Sequence, residues 1–577
     1  MHVVLNLSLE KGEGTGSCIF HIIYIGQGNV NIPDRTIFKK DWVICVLLFV
    51  AALAVRLPLV DVHPPGLWYD EAVDALDGLS VLGNAGKYPG KLENAGLPVF
   101  FDTEEHPREP MFMYLLGFVF LFVKPTVFSL RGVSAVCGAL GVPALYGMVR
   151  CAAKNRRLAL FAALSLLTMR WQIHHSRIGL RVILFTLWLT LSFWAVFAAI
   201  EKQRIKNFIK AGIIFGLGFY THLSFRFAPL ILVVMGIILF NQGALQWKKD
   251  RAKILVFVLA ILLVFLPLGM DYIRHPFHFS GRLKEVGLFE NGFASGLGHI
   301  FKNVISTLLM FSFRGDNNPF LNIPGYPVFT PLASFFFYLG IGICVMRIMR
   351  KKDVLFPATL FAWMGFMLVG TILSSEAPHF SRSLGASIPA AIFVGYGLAE
   401  ALEWFTDFFR IQRAVFLIII IWLGISIWDL SLYYGLYRGN PELWHRTNAA
   451  WVDVARVSRI LAQEDVNVYL PGDIYRHASV RYLTLDVPGD RLRNTRFPEC
   501  LSGGQGEKER DHVILATIYN NLDGVLKKEI PSGRYIQSFR TPEGYVWAVF
   551  YRISKTDLLP LKRAEEVFKQ YSPETER

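Results

Sequence analysis

A Trp-Tyr-Asp-Glu-Ala stretch at 68–72 opens a run in which Asp70, Asp74 and Asp77 recur at i, i+4 and i+7. In a helix that spacing sets three carboxylates on one face. Pro64, Pro65 and Gly66 close the preceding segment, so a helix starting near Trp68 has Asp70 and Glu71 in its first turn. Acids favour that position as caps and against the helix dipole. A carboxylate held at a water–lipid boundary is also suited to take a proton from a hydroxyl. Asp70, with Glu71 beside it, is the candidate catalytic pair.

Further along, Asp102, Glu104, Glu105, His106 and Glu109 fall within eight residues. Oxygen and nitrogen donors of these types can hold a divalent cation or meet an acceptor, although the spacing is not that of a rigid metal motif. Asp102, Glu105, His106 and Glu109 are the candidates for that role. A second group is cationic: Arg131, then Arg177 and Arg181 in His174-His175-Ser176-Arg177-Ile-Gly-Leu-Arg181, then His379 and Arg382. Arginine offers a planar fork of donors that fits a phosphate. Snorkelling to lipid headgroups is the alternative use of such side chains.

The elements that must position these residues are membrane helices. The chain has 577 residues, 53% hydrophobic and only 18% charged. Its mean hydropathy is +0.39. Soluble domains run near a quarter charged, so a soluble enzyme, a disordered chain and a disulfide scaffold are excluded. The net charge of +14 resides mostly in short turns between apolar blocks. That is the pattern of membrane topogenesis and contact with anionic lipids, not of nucleic-acid binding. The six cysteines (Cys18, Cys45, Cys137, Cys151, Cys344 and Cys500) show no metal-binding spacing.

Thirteen apolar blocks lie between 42 and 433. If all crossed the membrane, basic clusters would fall on both sides, against the positive-inside rule. The block at 110–123 spans only about 21 Å as a helix, short of a hydrocarbon core of roughly 30 Å. The block at 300–313 is also short and contains Lys302. Laying both in the interface puts the clusters near 150–157, 202–210, 248–253, 347–352 and 410–413 on one side. The expectation is therefore eleven crossings, with the N-terminus inside and an outer loop over 61–130. Two juxtamembrane helices lie on the outer face, where Asp70 and the misplaced arginines collect.

Three regions follow: an N-terminal extension at 1–38, a transmembrane catalytic region at 39–435 and an extracytoplasmic α/β domain at 436–577. In the last, 466–470, 512–518 and 545–553 read as strands, and 441–463 and 562–571 as helices. Gly212, Gly216 and Gly218 suit close helix packing rather than chemistry.

Taken together, WYDEA at 68–72, REPMFMYL at 108–115, the helix from Arg131 through GALGVPALYGMVR to Arg150, HHSRIGLR at 174–181, GFYTHLSFRFAPL at 218–230 and HFSRSLGASIP at 379–389 resemble the bacterial C-type (GT-C) membrane glycosyltransferases. The pattern is similar to the protein O-mannosyltransferase and aminoarabinose–lipid A transferase (ArnT) group, over about 42–433. The resemblance implies an inner-membrane enzyme that takes a sugar from a polyprenyl-phosphate donor and transfers it on the extracytoplasmic side, inverting the anomeric carbon. It gives Asp70 the general-base role, Glu71 a supporting one, and Arg382 with His379 the donor phosphate. Where the family's interfacial helix often begins His-Pro-Pro-Leu, this chain has Arg-Glu-Pro-Met, which puts Glu109 at the pocket. Some members carry an aspartate after the third crossing; Ser176, Arg177 and Arg181 stand there, so no second catalytic carboxylate is implied.

Two other functions fit a bundle with basic outer loops. One is a flippase or carrier for lipid-linked sugars, which would place polar residues within the spans. The other is an oligosaccharyltransferase or ligase using a diphosphate donor, for which a WWD-type acceptor site is expected in the tail and is not found. A divalent cation is a possible cofactor. The acceptor (a protein, lipid or glycan), the sugar and the oligomeric state are not encoded in any motif.

Overall fold

In the computed structural model, the described residues are 35–88, 91–101, 107–279, 293–495, 499–502, 510–518 and 522–571. The first half of the bundle comprises α1 (Arg35–Arg56), α2 (Tyr69–Ser80), α3 (Met111–Phe122), α4 (Val127–Ala153), α5 (Arg156–Thr168), α6 (Arg170–His175), α7 (Val182–Lys202) and α8 (Ile205–Gly218). It continues with α9 (Ala228–Asn241), α10 (Trp247–Arg274), α11 (Phe293–Leu309), α12 (Pro331–Met349), α13 (Leu355–Ile372), α14 (Ser387–Phe408) and α15 (Ile411–Ser431). Among the described residues, eight helices are long and apolar enough to cross a membrane. The protein is a multi-pass membrane protein. Each of the eleven blocks expected to cross contains a helix, several of them short, such as α8 with 14 residues.

α14 is the central helix: 94% of its most apolar window is buried. α10, at 11%, and α15, at 22%, face outward instead. Apolar residues cover both faces of these outer helices because lipid, like the core, rewards an apolar surface. Close approach is set by glycine. A Cβ on Gly212 would lie 2.5 Å from the Phe257 carbonyl oxygen, and one on Gly216 2.8 Å from Val264 Cβ, so α8 presses directly on α10.

Both ends of α3 meet elements at one end of the bundle. The Met111 N–H donates to the Tyr220 carbonyl between α8 and α9 (3.0 Å), and the Phe120 ring lies 6.5 Å from Tyr482 of the tail. α3 therefore lies across that end. Its buried residues, Phe112, Met113, Leu116 and Phe120, face inward, while Phe118 and Phe122 are exposed. At the opposite end, the turns carrying Lys154, Arg156, Arg157, Arg347 and Lys351 gather around one crevice. These two basic turns thus share an end.

The tail folds around a five-stranded sheet of order β2-β1-β3-β5-β4. The strands are β1 (Val466–Leu470), β2 (Leu492–Asn494), β3 (Asp511–Thr517), β4 (Arg534–Arg540) and β5 (Val546–Ile553). β1 pairs in parallel with β2 and β3, whereas β3–β5 and β4–β5 are antiparallel. Two strands are additions to the sequence reading. β2 is only three residues long, and β4 is a mostly exposed edge whose charged ends mask the strand pattern. The single helix expected over 441–463 is two, Pro441–Arg446 and Ala449–Leu461, broken where Asn448 takes a left-handed conformation (φ 56°).

Candidate active site

The site begins at the entry to α2. Trp68 has extended backbone, and its N–H donates to Glu71 Oε2 (2.9 Å), closing the first turn. The Trp68 ring stacks on Phe320 at 4.3 Å. Glu71 is completely buried. It also accepts from Arg131 Nε (2.9 Å), Arg131 Nη2 (2.9 Å) and the Gly179 N–H (2.5 Å). Asp70 is the next position round the helix and is exposed. One carboxylate of the doublet is locked so that its neighbour is presented to solvent in a fixed place. Glu71 thus ties the start of α2 to α4 and to the Gly179 turn.

This same pairing corrects the reading of Arg131. Its remaining N–H groups donate to the carbonyls of Val60 (3.2 Å), Pro64 (2.7 Å) and Gly66 (2.9 Å), and none of its surface is exposed. Every donor is used, so none is left for a phosphate. Arg177 is turned into the protein as well. It is fully buried, donates to the carbonyls of Arg56 (2.5 Å) and His63 (3.0 Å), and lies 5.1 Å from the Tyr434 ring centroid. Arg177 and Arg181 do not share a helical face, because α6 ends at His175 and a turn intervenes before α7.

Arg181 turns instead toward the acids of α2. Arg108, unassigned from sequence, donates to Asp74 (2.6 Å) and Asp77 (2.5 Å). Arg181 lies 3.7 Å from Asp74 and 3.6 Å from Glu109. Burial raises the Asp74 carboxyl above its ordinary pKa, and the nearby Asp70 charge adds to the rise. Burial likewise pushes Asp77 up to about 6, the Asp74 charge adding to the rise and Arg108 opposing it. Asp74 Oδ2, Glu109 Oε2 and Arg181 Nε are buried without a hydrogen-bond partner. Buried polar atoms normally find one, so this cluster is suited to receive polar groups of a ligand.

His379 and Arg382 sit on the loop before α14. The Arg382 N–H donates to His379 Nδ1 (3.3 Å), and the His379 N–H to Thr371 (2.8 Å). Between them, the Phe380 N–H donates to Asp316 (2.8 Å), and its carbonyl accepts from Trp171 of α6 (3.0 Å). A chain of contacts joins this loop to α2: His174, also on α6, bonds the Phe320 carbonyl (2.7 Å), and Phe320 stacks under Trp68. Asp102, Glu105 and His106 lie outside the described residues.

Sequence reasoning also missed Asp271, His275 and His278 at the end of α10. Their donor atoms all lie within 4.8 Å of one another, a set suited to a divalent cation. His278 Nδ1 is 2.6 Å and His275 Nδ1 3.1 Å from the Asp271 carboxylate. Phe100, two residues before Asp102, packs on His278 at 5.3 Å. The i, i+4, i+7 spacing was visible, but the apolar block at 253–270 drew the reading away from its polar end.

A helical membrane bundle, an acidic helix start at one end and a small mixed sheet domain together make up a GT-C-like fold. The fold is similar to that of ArnT from Cupriavidus metallidurans bound to undecaprenyl phosphate, with a TM-score of 0.51 and 14% identity, covering 89% of this chain and 98% of that one. ArnT in the apo state gives 0.50 and 14%, covering 91% and 100%. The Archaeoglobus fulgidus oligosaccharyltransferase tethered with an acceptor peptide gives 0.50 and 13%, covering 89% and 74%. A family model described as dolichyl-phosphate-mannose-protein mannosyltransferase matches residues 105–270. No curated protein matches the chain.

Proposed function

We propose that this protein is an inverting glycosyltransferase that moves a sugar from a polyprenyl-phosphate donor to an acceptor hydroxyl on the extracytoplasmic side of the inner membrane. The observation that carries the reading is an exposed Asp70 beside a buried charged cluster in which Asp74 Oδ2, Glu109 Oε2 and Arg181 Nε have no hydrogen-bond partner. The likeness to ArnT bound to undecaprenyl phosphate supports a lipid-phosphate donor.

In this reaction Asp70 takes the acceptor hydroxyl proton as that oxygen bonds to the anomeric carbon. The bond from that carbon to the phosphate oxygen breaks, and its electron pair leaves with the lipid phosphate. Arg382 and His379 stabilise the charge developing there. Asp74, Glu109 and Arg181 hold sugar or acceptor hydroxyls. Asp271, His275 and His278 are the residues that would hold a divalent cation, whose chemistry would be to neutralise phosphate charge.

Purified Asp70→Asn protein is expected to keep wild-type thermal stability and lose about 10²- to 10⁴-fold in transfer rate. Wild-type turnover overturns the base assignment. Arg382→Ala is expected to raise KM for the donor more than it lowers kcat. Assaying a monophosphate-linked monosaccharide beside a diphosphate-linked oligosaccharide tests the donor class; turnover with the second alone overturns it.

A further inference from the structure

A wide crevice lies at the opposite end from Asp70. It has a volume of about 990 Å³ and is lined by Lys154, Arg156 and Arg157 from the α4–α5 turn and by Arg347 and Lys351 from the α12–α13 turn. Asp353, Glu400 and Glu403 also line it, leaving cations in excess. Arg347 is engaged: its guanidinium lies 5.6 Å from the Tyr396 ring centroid and 3.4 Å from Asp353. Lys154 pairs with Glu201. Arg157 and Lys351 are exposed, and no ion pair engages either among the described residues. Leu158, Phe197 and Phe356 add apolar surface to the lining.

Two of these lysines occupy backbone positions that favour glycine. Lys154 and Lys351 end their helices in the left-handed region, with φ of 55° and 54°. Glycine is the usual residue at such a helix end because it has no Cβ to clash. A long cationic side chain at both places, each at the rim of one crevice, points to a use for the charge.

We propose that this crevice binds a phosphate group, that of an anionic phospholipid from the leaflet on the basic-turn side. Guanidinium forks match phosphate oxygens. Basic pockets between membrane helices on the cytoplasmic side are known seats for acidic headgroups. This site stands apart from the proposed transfer site and does not depend on it.

The test is a thermal-stability titration of the purified full-length protein in detergent with phosphatidylglycerol, phosphatidylcholine or inorganic phosphate. Phosphatidylglycerol is expected to raise Tm saturably, and phosphatidylcholine to leave it unchanged. An Arg157→Gln/Lys351→Gln double variant is expected to keep the lipid-free Tm and weaken phosphatidylglycerol binding about 25-fold, roughly fivefold per charge. A Lys248→Gln/Lys249→Gln control, changed on another basic turn, is expected to bind as wild type does. Equal stabilisation by both lipids, undiminished affinity in the double variant, or equal loss in the control overturns the proposal. Full protection by inorganic phosphate, with the same variant dependence and nothing added by lipid, overturns the lipid source.

Discussion

Glu71 and Arg131, sixty positions apart, form a two-pronged ion pair with both contacts at 2.9 Å and neither side chain exposed. The pair fastens the start of α2 to α4, and the other three Arg131 bonds fasten the 60–66 segment to the same point. The place of Asp70 depends on this knot rather than on contacts of its own.

Breaking one partner of such a pair leaves an uncompensated buried charge, which costs about 3–5 kcal/mol. Glu71→Gln and Arg131→Met are each expected to lower thermal stability by that order. The double variant is expected to recover part of it without recovering transfer, because the α2 entry is no longer fixed. Additive losses in a double-mutant cycle would show that the two residues act separately.

Asp77 supplies a pH dependence. Its folded pKa, pushed up to about 6 from 3.8, means that the folded state favours the protonated carboxyl. The stability this confers is complete below about pH 4 and is lost as pH rises through 6. Asp77→Asn is therefore expected to match wild type near pH 4 and to exceed it by about 1–3 kcal/mol above pH 7. A variant-minus-wild-type difference that stays flat between pH 4 and 8 contradicts the burial argument.

Gly66 is one of the contacts between the loop and the tail. A Cβ there would lie 2.2 Å from the Thr447 carbonyl oxygen and 2.7 Å from the Ala449 nitrogen, and its φ is +71°. Backbone atoms cannot move aside as side chains can. Gly66→Ala is expected to lower stability by more than about 1 kcal/mol and to raise proteolysis of the tail. Gly86→Ala, with nothing within 4 Å of its Cβ, is expected to be silent. Similar melting of the two variants would mean that the tail does not press on this loop.

The group at the end of α10 makes a prediction about cations. Wild-type protein stripped with chelator is expected to bind Zn²⁺ or Mn²⁺ by calorimetry, and His278→Ala or Asp271→Asn to lose at least tenfold in affinity. Binding unchanged in both variants places any cation elsewhere.

The shared face of Asp70, Asp74 and Asp77 was legible because a helix repeats every 3.6 residues whatever surrounds it. That the α4–α5 and α12–α13 turns share an end was legible because insertion sorts charge locally, turn by turn. The role of each arginine was not. Arg131, Arg177 and Arg181 looked alike in sequence, yet the first spends every donor inside the protein, the second is buried against backbone carbonyls and the third faces acids on α2.

By itself, the sequence determined the membrane class, the GT-C resemblance, three of the five tail strands and the exposed position of an acid at a helix start. Those properties follow from local periodicity and from the cost of placing charge in lipid. Only the tertiary structure decided which acid is locked and which is free, which cations are already neutralised, and that Asp271, His275 and His278 converge. Charge pairing across sixty or more residues depends on how helices pack, and residue spacing along one helix carries no record of what the next helix brings to it.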